Sequence, residues 1–514
     1  MKLSSPLPSD HLHTMSMLWP IVTTCLRHAK QRAVTDDQRK FTFGQLLGGS
    51  LFLADKIDGT TSRDHVGLLL PTSGMFSMAL MATWFTGRTA VPLNYLLARD
   101  EIRYIIEDSD IDTIIAVKPM LDYIGGAEVV PPHIKLILIE EVDFTGVPPL
   151  RWPPLKSSDD LAVILYTSGT SGRPKGVMLS HGNLRTNVEA AIEHARLTGT
   201  DTFVGILPQF HSFGLTALTV LPLSIGAHVV YCARFIPKKV VNIIKEHKAA
   251  IFMAVPSMYA AMLAVKTATA EDFASIRLAI SGGEPLPAAV FDEFEERFKV
   301  RLLEGYGLTE TAPVTTWSVP HLFRRKAVGK ALPRVDVIIV DDHNRVLPAN
   351  TDGEVLITGG HIMQGYYHLP EQTAAVFVDL EVKNGDGETV TRRFFRSGDI
   401  GRFDDDGFLY ITGRKKEMLI IAGENVFPRE IEEILNKHPA VRDSAVIGKM
   451  DDLRGELPVA FIELNEGVTF DETDLRSWCR DRLAGYKVPR EITVLPALPR
   501  NPTGKIMRRQ LKAM

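Results

Sequence analysis

The run YTSGTSGRPKGVMLSH, Tyr166 to His181, crowds Thr167, Ser168, Thr170 and Ser171, with Gly169 and Gly172, in front of Lys175. Small hydroxyls, backbone N–H groups opened by glycine and one ammonium are the donors a polyphosphate needs. A solvated surface loop can have the same composition. This one, however, follows the apolar strand-length run LAVILY (Leu161 to Tyr166) and carries Arg173-Pro174-Lys175-Gly176. Behind it, Leu184, Val188, Ala191, Ile192 and Ala195 recur at helical spacing, so the expected unit is strand, loop, helix. It is not a Walker A loop, because no Gly-Lys is followed by Ser or Thr.

Further polar clusters are expected at loop positions between elements. SGGEP (Ser281 to Pro285) follows IRLAI, and EGYGLTET (Glu304 to Thr311) follows VRLL. RSGD (Arg396 to Asp399) is expected to end a strand, and GRKKE (Gly413 to Glu417) to head a charged linker. AGENVFP (Ala422 to Pro428) and NPTGK (Asn501 to Lys505) come later, and PQFHSFG (Pro208 to Gly214) holds one histidine in an apolar stretch. Taken singly, each has an ordinary reading. Tyr306 is a core tyrosine, Glu310 a surface charge, Asp399 and Arg414 an ion pair, His211 a core histidine and Lys505 a tail charge.

The elements that must carry these clusters are an alternation of strand and helix. HVGLLLP, TAVPLNY, DTIIAVK and IKLILIE read as strands, with SGMFSMALMATWF and ARDEIRYIIEDSD helical among them. TFVGILP, AHVVYC, AAIFMAV and IRLAIS repeat the rhythm, so two related α/β sheet subdomains span about 20–326. From about 327 to 413, VDVIIVDD, GEVLITG, RRFFRSGD and GFLYITG predict an antiparallel, barrel-like subdomain. FVDLEVKNGDGETVTRRFF, turning at Asn384 to Gly387, predicts an added hairpin within it. The last block predicts a small α+β domain.

With 514 residues and 45% hydrophobic content, the chain has ample core for two to four domains. A formal net charge of −4 gives no electrostatic case for nucleic-acid binding. Three scattered cysteines, Cys25, Cys232 and Cys479, show no metal or disulfide spacing and predict a reducing, cytoplasmic setting. The first residues lack the charge-then-apolar pattern of a signal peptide. VGLLLPTSGMFSMALMATWF is broken by Pro71 to Gly74, which argues against a membrane span and leaves peripheral contact open.

In order and relative position, YTSGTSGRPKGV, GYGLTET, SGD, GRKKEMLIIAGENVFP and PTGK resemble the adenylate-forming superfamily of acyl-CoA synthetases, aryl-CoA ligases and related enzymes. The texture is most similar to bacterial fatty-acyl-CoA and fatty-acyl-carrier-protein synthetases. The resemblance implies an N-terminal domain over 1–413, a hinge over 414–417 and a mobile C-terminal domain over 418–514. It implies attack of a carboxylate on the α-phosphorus of ATP, release of pyrophosphate, then transfer of the acyl group to coenzyme A with release of AMP.

It also implies roles. Thr167, Ser168, Gly169, Thr170, Ser171, Gly172 and Lys175 would wrap the phosphates. Gly282, Gly283, Glu284, Glu304, Gly305, Tyr306 and Gly307 would border adenine, with Tyr306 stacked on it. Thr309 and Glu310 are the α-phosphate and Mg2+ candidates, Mg2+ being a hard ion that takes oxygen ligands. Asp399 and Arg414 would hold the ribose. His211 would gate the acid site, with Phe210, Phe213 and Gly214 along the acyl or pantetheine path. Lys505 would meet the carboxylate in the first step, and Gly423, Glu424 and Asn425 would serve the second after rotation at Lys416. Fatty-acid, carrier-protein and aryl-acid versions stay open, and the thiol is expected to arrive in trans. A non-catalytic nucleotide binder is the remote alternative, against which Glu310 and Lys505 both speak.

Overall fold

The computed structural model describes residues 16–167, 173–383, 386–421, 424–451, 455–500, 506–512 and 514. They form four sheets. In the first, Lys135–Leu138, Thr113–Ala116, His65–Leu69, Thr89–Pro92 and Leu161–Thr167 lie side by side and parallel. The inner strands are buried along their length, as sheets covered on both faces must be. Helix Gly74–Phe85 is buried at every residue but Met75, which explains its all-round apolar sequence. Among the described residues no helix is long and apolar enough to cross a membrane.

The second sheet has nine strands around a parallel core of Leu302–Gly307, Leu278–Ser281, Ile251–Ala254, Thr202–Gly205 and His228–Tyr231. Its far edge is made by the start of the chain. Arg32–Thr35 lies parallel to His228–Tyr231, with Val34 opposite Val229, and Lys40–Thr42 closes the edge.

Three local expectations are corrected. The phosphate loop does not lead directly into a helix. Lys175–Ser180 returns as a strand antiparallel to Leu161–Thr167, with Thr167 opposite Lys175. Val177 and Leu179 are fully buried on alternate positions, a two-residue period too short to stand out behind the glycines. Helix His181–Ala195 starts only afterwards, with the Ser180 side chain capping the Asn183 N–H. Secondly, Glu304 to Gly307 belong to strand Leu302–Gly307, and Tyr306 pairs with Thr316. Thirdly, Arg396 to Asp399 lie inside the long strand Thr389–Phe403. Arg396 pairs with Leu356 and Ile400 with Glu354, so residues 397–399 bulge opposite a single residue. Gly398, at φ +69°, takes the left-handed conformation this requires.

The third sheet is antiparallel throughout, formed by Val335–Val340, Gly353–Gly359, Phe377–Lys383, Thr389–Phe403 and Leu409–Arg414. The added hairpin is present, with Lys383 opposite Thr389; Asn384 and Gly385 lie outside the described residues. The turn Lys415–Glu417 leads to the fourth sheet, Leu419–Ile421, Glu424–Val426, Val441–Asp451, Gly455–Leu464 and Glu491–Val494. Helix Pro428–Leu435 packs Ile431 and Leu435 into a core with Val446, Ile462, Leu475 and Cys479. The three cysteines are free and buried.

Candidate active site

The strand bulge carries Asp399 into a buried corner, where it is 2% exposed. The Tyr306 hydroxyl donates to its Oδ2 at 2.7 Å, and Arg414 Nε lies 3.0 Å from Oδ1. Arg414 is directly opposite Asp399 across the two strands, so backbone register alone brings the pair together. Burial and then the Asp399 charge push the Tyr306 phenol well above its ordinary pKa, which keeps it a donor. Burial is the largest single influence on the Arg414 guanidinium and works against its charge, but Asp399 together with Glu417, Tyr306 and Glu310 outweighs it and raises its pKa. A ring, a buried carboxylate and a half-exposed cation thus share one corner, a set suited to an aromatic base and a diol. Glu304, two residues before Tyr306, has its carboxyl pushed up to about 7 by burial, with Arg429 of helix Pro428–Leu435 drawing it back.

A second group forms around Tyr366. Its hydroxyl donates to Glu310 Oε1 at 2.8 Å, and Lys175 Nζ sits 5.0 Å from its ring centroid. Glu310 lies in the turn Thr309–Thr311, whose position is tied by the Met363 N–H to the Glu310 carbonyl at 2.9 Å. Partial burial lowers the Lys175 pKa, the Lys416 charge lowers it further, and Glu310 opposes both. The hinge candidate Lys416 is therefore within electrostatic reach of the phosphate candidate Lys175. Thr309 is buried, with its Oγ1 3.3 Å from Ser212 Oγ.

The two ends of the phosphate loop meet a Tyr104–Asp108 pair. Tyr166 and Tyr104 donate to the two Asp108 oxygens at 2.6 and 3.1 Å, and the Arg173 guanidinium lies over the Tyr104 ring at 5.4 Å. Ser168, Gly169, Thr170, Ser171 and Gly172 lie outside the described residues, as do Gly423 and Lys505. Glu424 is exposed at the start of the short strand that also contains Asn425.

No cluster of three or more His, Cys, Asp or Glu able to hold a metal occurs among the described residues. Glu310 offers a Mg2+ one carboxylate beside the phosphate candidate Lys175. Mg2+ is commonly held by one or two carboxylates plus phosphates, so the residues fit.

The acid-side candidates separate. His211 is exposed, and its Nδ1 accepts from the Phe213 N–H at 3.3 Å. The Phe213 ring covers Gly282, where an added Cβ would come within 3.3 Å of Cε1 and 3.4 Å of the Gly305 carbonyl. Gly283, at φ +85°, faces open space beyond Val255. Glu284 is half-buried beside it. Phe210 instead packs edge-on against Tyr95, centroids 4.9 Å apart. Gly214 and Gly307 are needed for backbone contact: a Cβ would meet the carbonyls of Pro208 and Pro313 at 2.1 and 1.8 Å.

Reading the sequence missed Tyr366, Ser212 and Asp108. Tyr366 had one signal, an aromatic residue directly after Gly365.

A family model described as AMP-binding enzyme matches residues 22–367, and another described as AMP-binding enzyme C-terminal domain matches 430–505. The chain is 31% identical to the long-chain-fatty-acid–CoA ligase of Bacillus subtilis (strain 168), over 98% of this chain and 95% of that protein. ATP-bound MatB from Rhodopseudomonas palustris is 29% identical and superposes with a TM-score of 0.87, covering 97% of this chain and 99% of that one. The apo form of the same protein gives 0.77, so this chain's arrangement is nearer the ATP-bound form. O-succinylbenzoate coenzyme A synthetase (MenE) from Bacillus subtilis, in complex with ATP and magnesium ion, is 28% identical with a TM-score of 0.83, covering 96% and 99%. The first family model spans well over half of the sequence, and the full-length relative exceeds 30% identity. The chain belongs to the AMP-binding enzyme family.

Proposed function

We propose that the chain is a fatty acid–CoA ligase. The coarser statement, that it is an ATP-dependent acid–CoA ligase working through an acyl adenylate, rests on the family itself. In the first step a carboxylate oxygen bonds to the α-phosphorus of ATP, and the bond to the bridging oxygen of pyrophosphate breaks. In the second, the thiol sulfur of coenzyme A bonds to the acyl carbon and AMP leaves.

The observation that carries the residue assignment is the pairing of the Tyr306–Asp399–Arg414 corner with the Lys175–Tyr366–Glu310 group. Asp399 and Arg414 hold the ribose and Tyr306 takes the adenine. Thr167 and Lys175 hold the β- and γ-phosphates, and Thr309 donates to the α-phosphate. An anionic nucleophile must approach an anionic electrophile, so fixed donors aimed at the transferring group supply most of the catalysis. Mg2+ held at Glu310 would spread the charge of the phosphates. Lys505 meets the carboxylate and the bridging oxygen. Rotation at Lys416, in the turn between the third and fourth sheets, then exchanges that face for the Glu424 strand. The free thiols support a cytoplasmic setting.

For the acid, Phe213 over Gly282 offers an apolar wall, and identity to a long-chain-fatty-acid ligase extends over 98% of the chain. An aryl-acid substrate is the second reading, favoured by the likeness to MenE. An acyl-carrier-protein thiol is the alternative acceptor. The test is pyrophosphate release over saturated acids from acetate to palmitate, beside benzoate and cinnamate, with and without CoA. Each methylene buried contributes about 0.8 kcal/mol. At about 1.36 kcal/mol per decade, kcat/KM rises roughly fourfold per methylene until the pocket ends. A flat series below an aromatic maximum overturns the fatty-acid reading and leaves the adenylate chemistry standing.

A further inference from the structure

The loop Pro208–Gly214 projects His211 and Phe213 from its middle, yet it is fixed at both ends by one buried polar hub. Gln209 is 1% exposed and all of its side-chain hydrogen-bonding capacity faces protein. Its Oε1 accepts from the Ser73 N–H at 2.7 Å, at the start of helix Gly74–Phe85. Its Nε2 donates to Thr219 Oγ1 at 2.9 Å and to Ser77 Oγ at 3.3 Å. On the other side of the loop, the Thr219 hydroxyl donates to the Gly214 carbonyl at 3.0 Å, and the Tyr231 hydroxyl donates to the Leu218 carbonyl at 2.9 Å. Ser77 and Thr219 have no exposed surface and Tyr231 only 1%.

The protons fit if the Tyr231 hydroxyl shares its one proton between the Leu218 carbonyl and Thr219 Oγ1, 3.1 Å away. Gln209 supplies two, Thr219 one, Tyr231 one, and the Ser77 hydroxyl lies 3.4 Å from the Tyr231 oxygen as the remaining donor. A fully satisfied buried network of this kind fixes one arrangement of the groups it touches, whereas a partly satisfied one is costly. The groups it fixes here are unusual backbone. Phe213–Val220 is a π-helix, a wider turn found mostly in short pieces and at functional sites. Two of its carbonyls, Gly214 and Leu218, receive hub protons from side chains. Between the hub's two attachments, Ser212 reaches Thr309 at 3.3 Å and Phe213 covers Gly282.

We propose that Gln209, with Thr219 and Tyr231, is the positioning element of the acid side of the site. It holds the His211–Phe213 turn against Gly282 and Thr309 without touching substrate itself. This rests on the reading that His211 and Phe213 border the acid. The hub meets neither Asp399 nor Lys175 and reaches the nucleotide side only indirectly, through Ser212 on Thr309 and Phe213 on Gly282, so its main effect falls on acid recognition.

The test compares wild type with Gln209→Leu and Thr219→Val, measuring the thermal midpoint, ATP binding by equilibrium dialysis, and acid KM and chain-length profile by pyrophosphate release. Thr219→Val keeps the side-chain shape, so it remains informative where Gln209→Leu folds poorly. The expected result is an acid KM raised about tenfold or more, with a flattened chain-length profile, in variants that bind ATP within about twofold of wild type. Gln209→Asn, which keeps both donor and acceptor on a shorter arm, should restore part of the profile. Acid KM and profile unchanged in folded Thr219→Val overturn the proposal. Parallel loss of ATP and acid binding overturns it too, since a merely structural hub gives that pattern. Failure of the underlying reading is separable, because Phe213→Ala would then leave the acid KM and chain-length profile of an otherwise acid-dependent enzyme unchanged.

Discussion

Tyr366→Phe removes one oxygen and little else. The side chain is 7% exposed, so the phenyl ring fills the same space without opening a cavity. The Lys175 ammonium keeps its ring at 5.0 Å, a contact worth about 0.5–2 kcal/mol. What disappears is the 2.8 Å bond to Glu310 Oε1. Hydrogen bonds to charged groups contribute about 1.5–3 kcal/mol. At about 1.36 kcal/mol per decade that is roughly tenfold to a hundredfold. Glu310 is partly exposed, so water replaces some of the lost bond and the low end applies. We therefore expect the half-saturating Mg2+ concentration to rise about tenfold in a pyrophosphate-release assay at saturating ATP and acid, with the thermal midpoint lowered by only a few degrees. Tyr366→Leu, which also loses the ring, should weaken ATP binding in addition. A Mg2+ titration of Tyr366→Phe that overlays the wild type would refute the assignment of Glu310 to the metal through this bond.

Other outcomes follow from the same geometry. Lys505→Ala should slow adenylation by roughly 10²–10³ while thioester formation from supplied acyl adenylate survives; equal loss in both half-reactions would remove it from the first step. Asp399→Ala takes away the partner of both Tyr306 and Arg414 and should raise the KM for ATP far more than that for the acid, checked by varying each at saturation of the other. Glu304 has a folded pKa of about 7, above its unfolded value of about 4.3, so the native state binds the extra proton. Stability is accordingly fully present below the unfolded pKa and lost as pH rises towards 7. Glu304→Gln should flatten this loss and raise the unfolding midpoint more at about pH 8 than at about pH 5; an equal effect at both rules out the buried carboxyl as its source.

The sequence carried the strand rhythm well because buried parallel strands are apolar throughout and their helices are not. It carried the site less evenly. Asp399 and Arg414 sit in different motifs, and only strand register makes them neighbours. Arg396 to Asp399 read as a strand end because Ser-Gly-Asp is turn-like, whereas a two-residue bulge accommodates it mid-strand. Glu304 to Gly307 read as a loop because two glycines hide a strand whose neighbour supplies the hydrogen bonds. Lys175 opens a return strand, since burial of Val177 and Leu179 outweighs the loop-like leader. Tyr366 had only the glycine before it as a signal, and Gln209 had none, because Glu310 and Ser73, which they bond, lie far away in sequence.

The edge strands at the start of the chain impose an order on synthesis. Val34 finds its partner Val229 only after about 195 more residues have been made. At about 5–20 residues per second that is a wait of roughly 10–40 s. Throughout it, Ala33 and Val34, both wholly buried at the end, have only the short antiparallel strand Lys40–Thr42 to pair with. The ribosome thus releases the first strand of the second sheet with one edge unpaired, next to a helix, Phe43–Asp58, that packs against Gly74–Phe85 and is completed much earlier. Folding here cannot run strictly from front to back. The outer edge of Arg32–Thr35 stays open until His228–Tyr231 emerges to receive it.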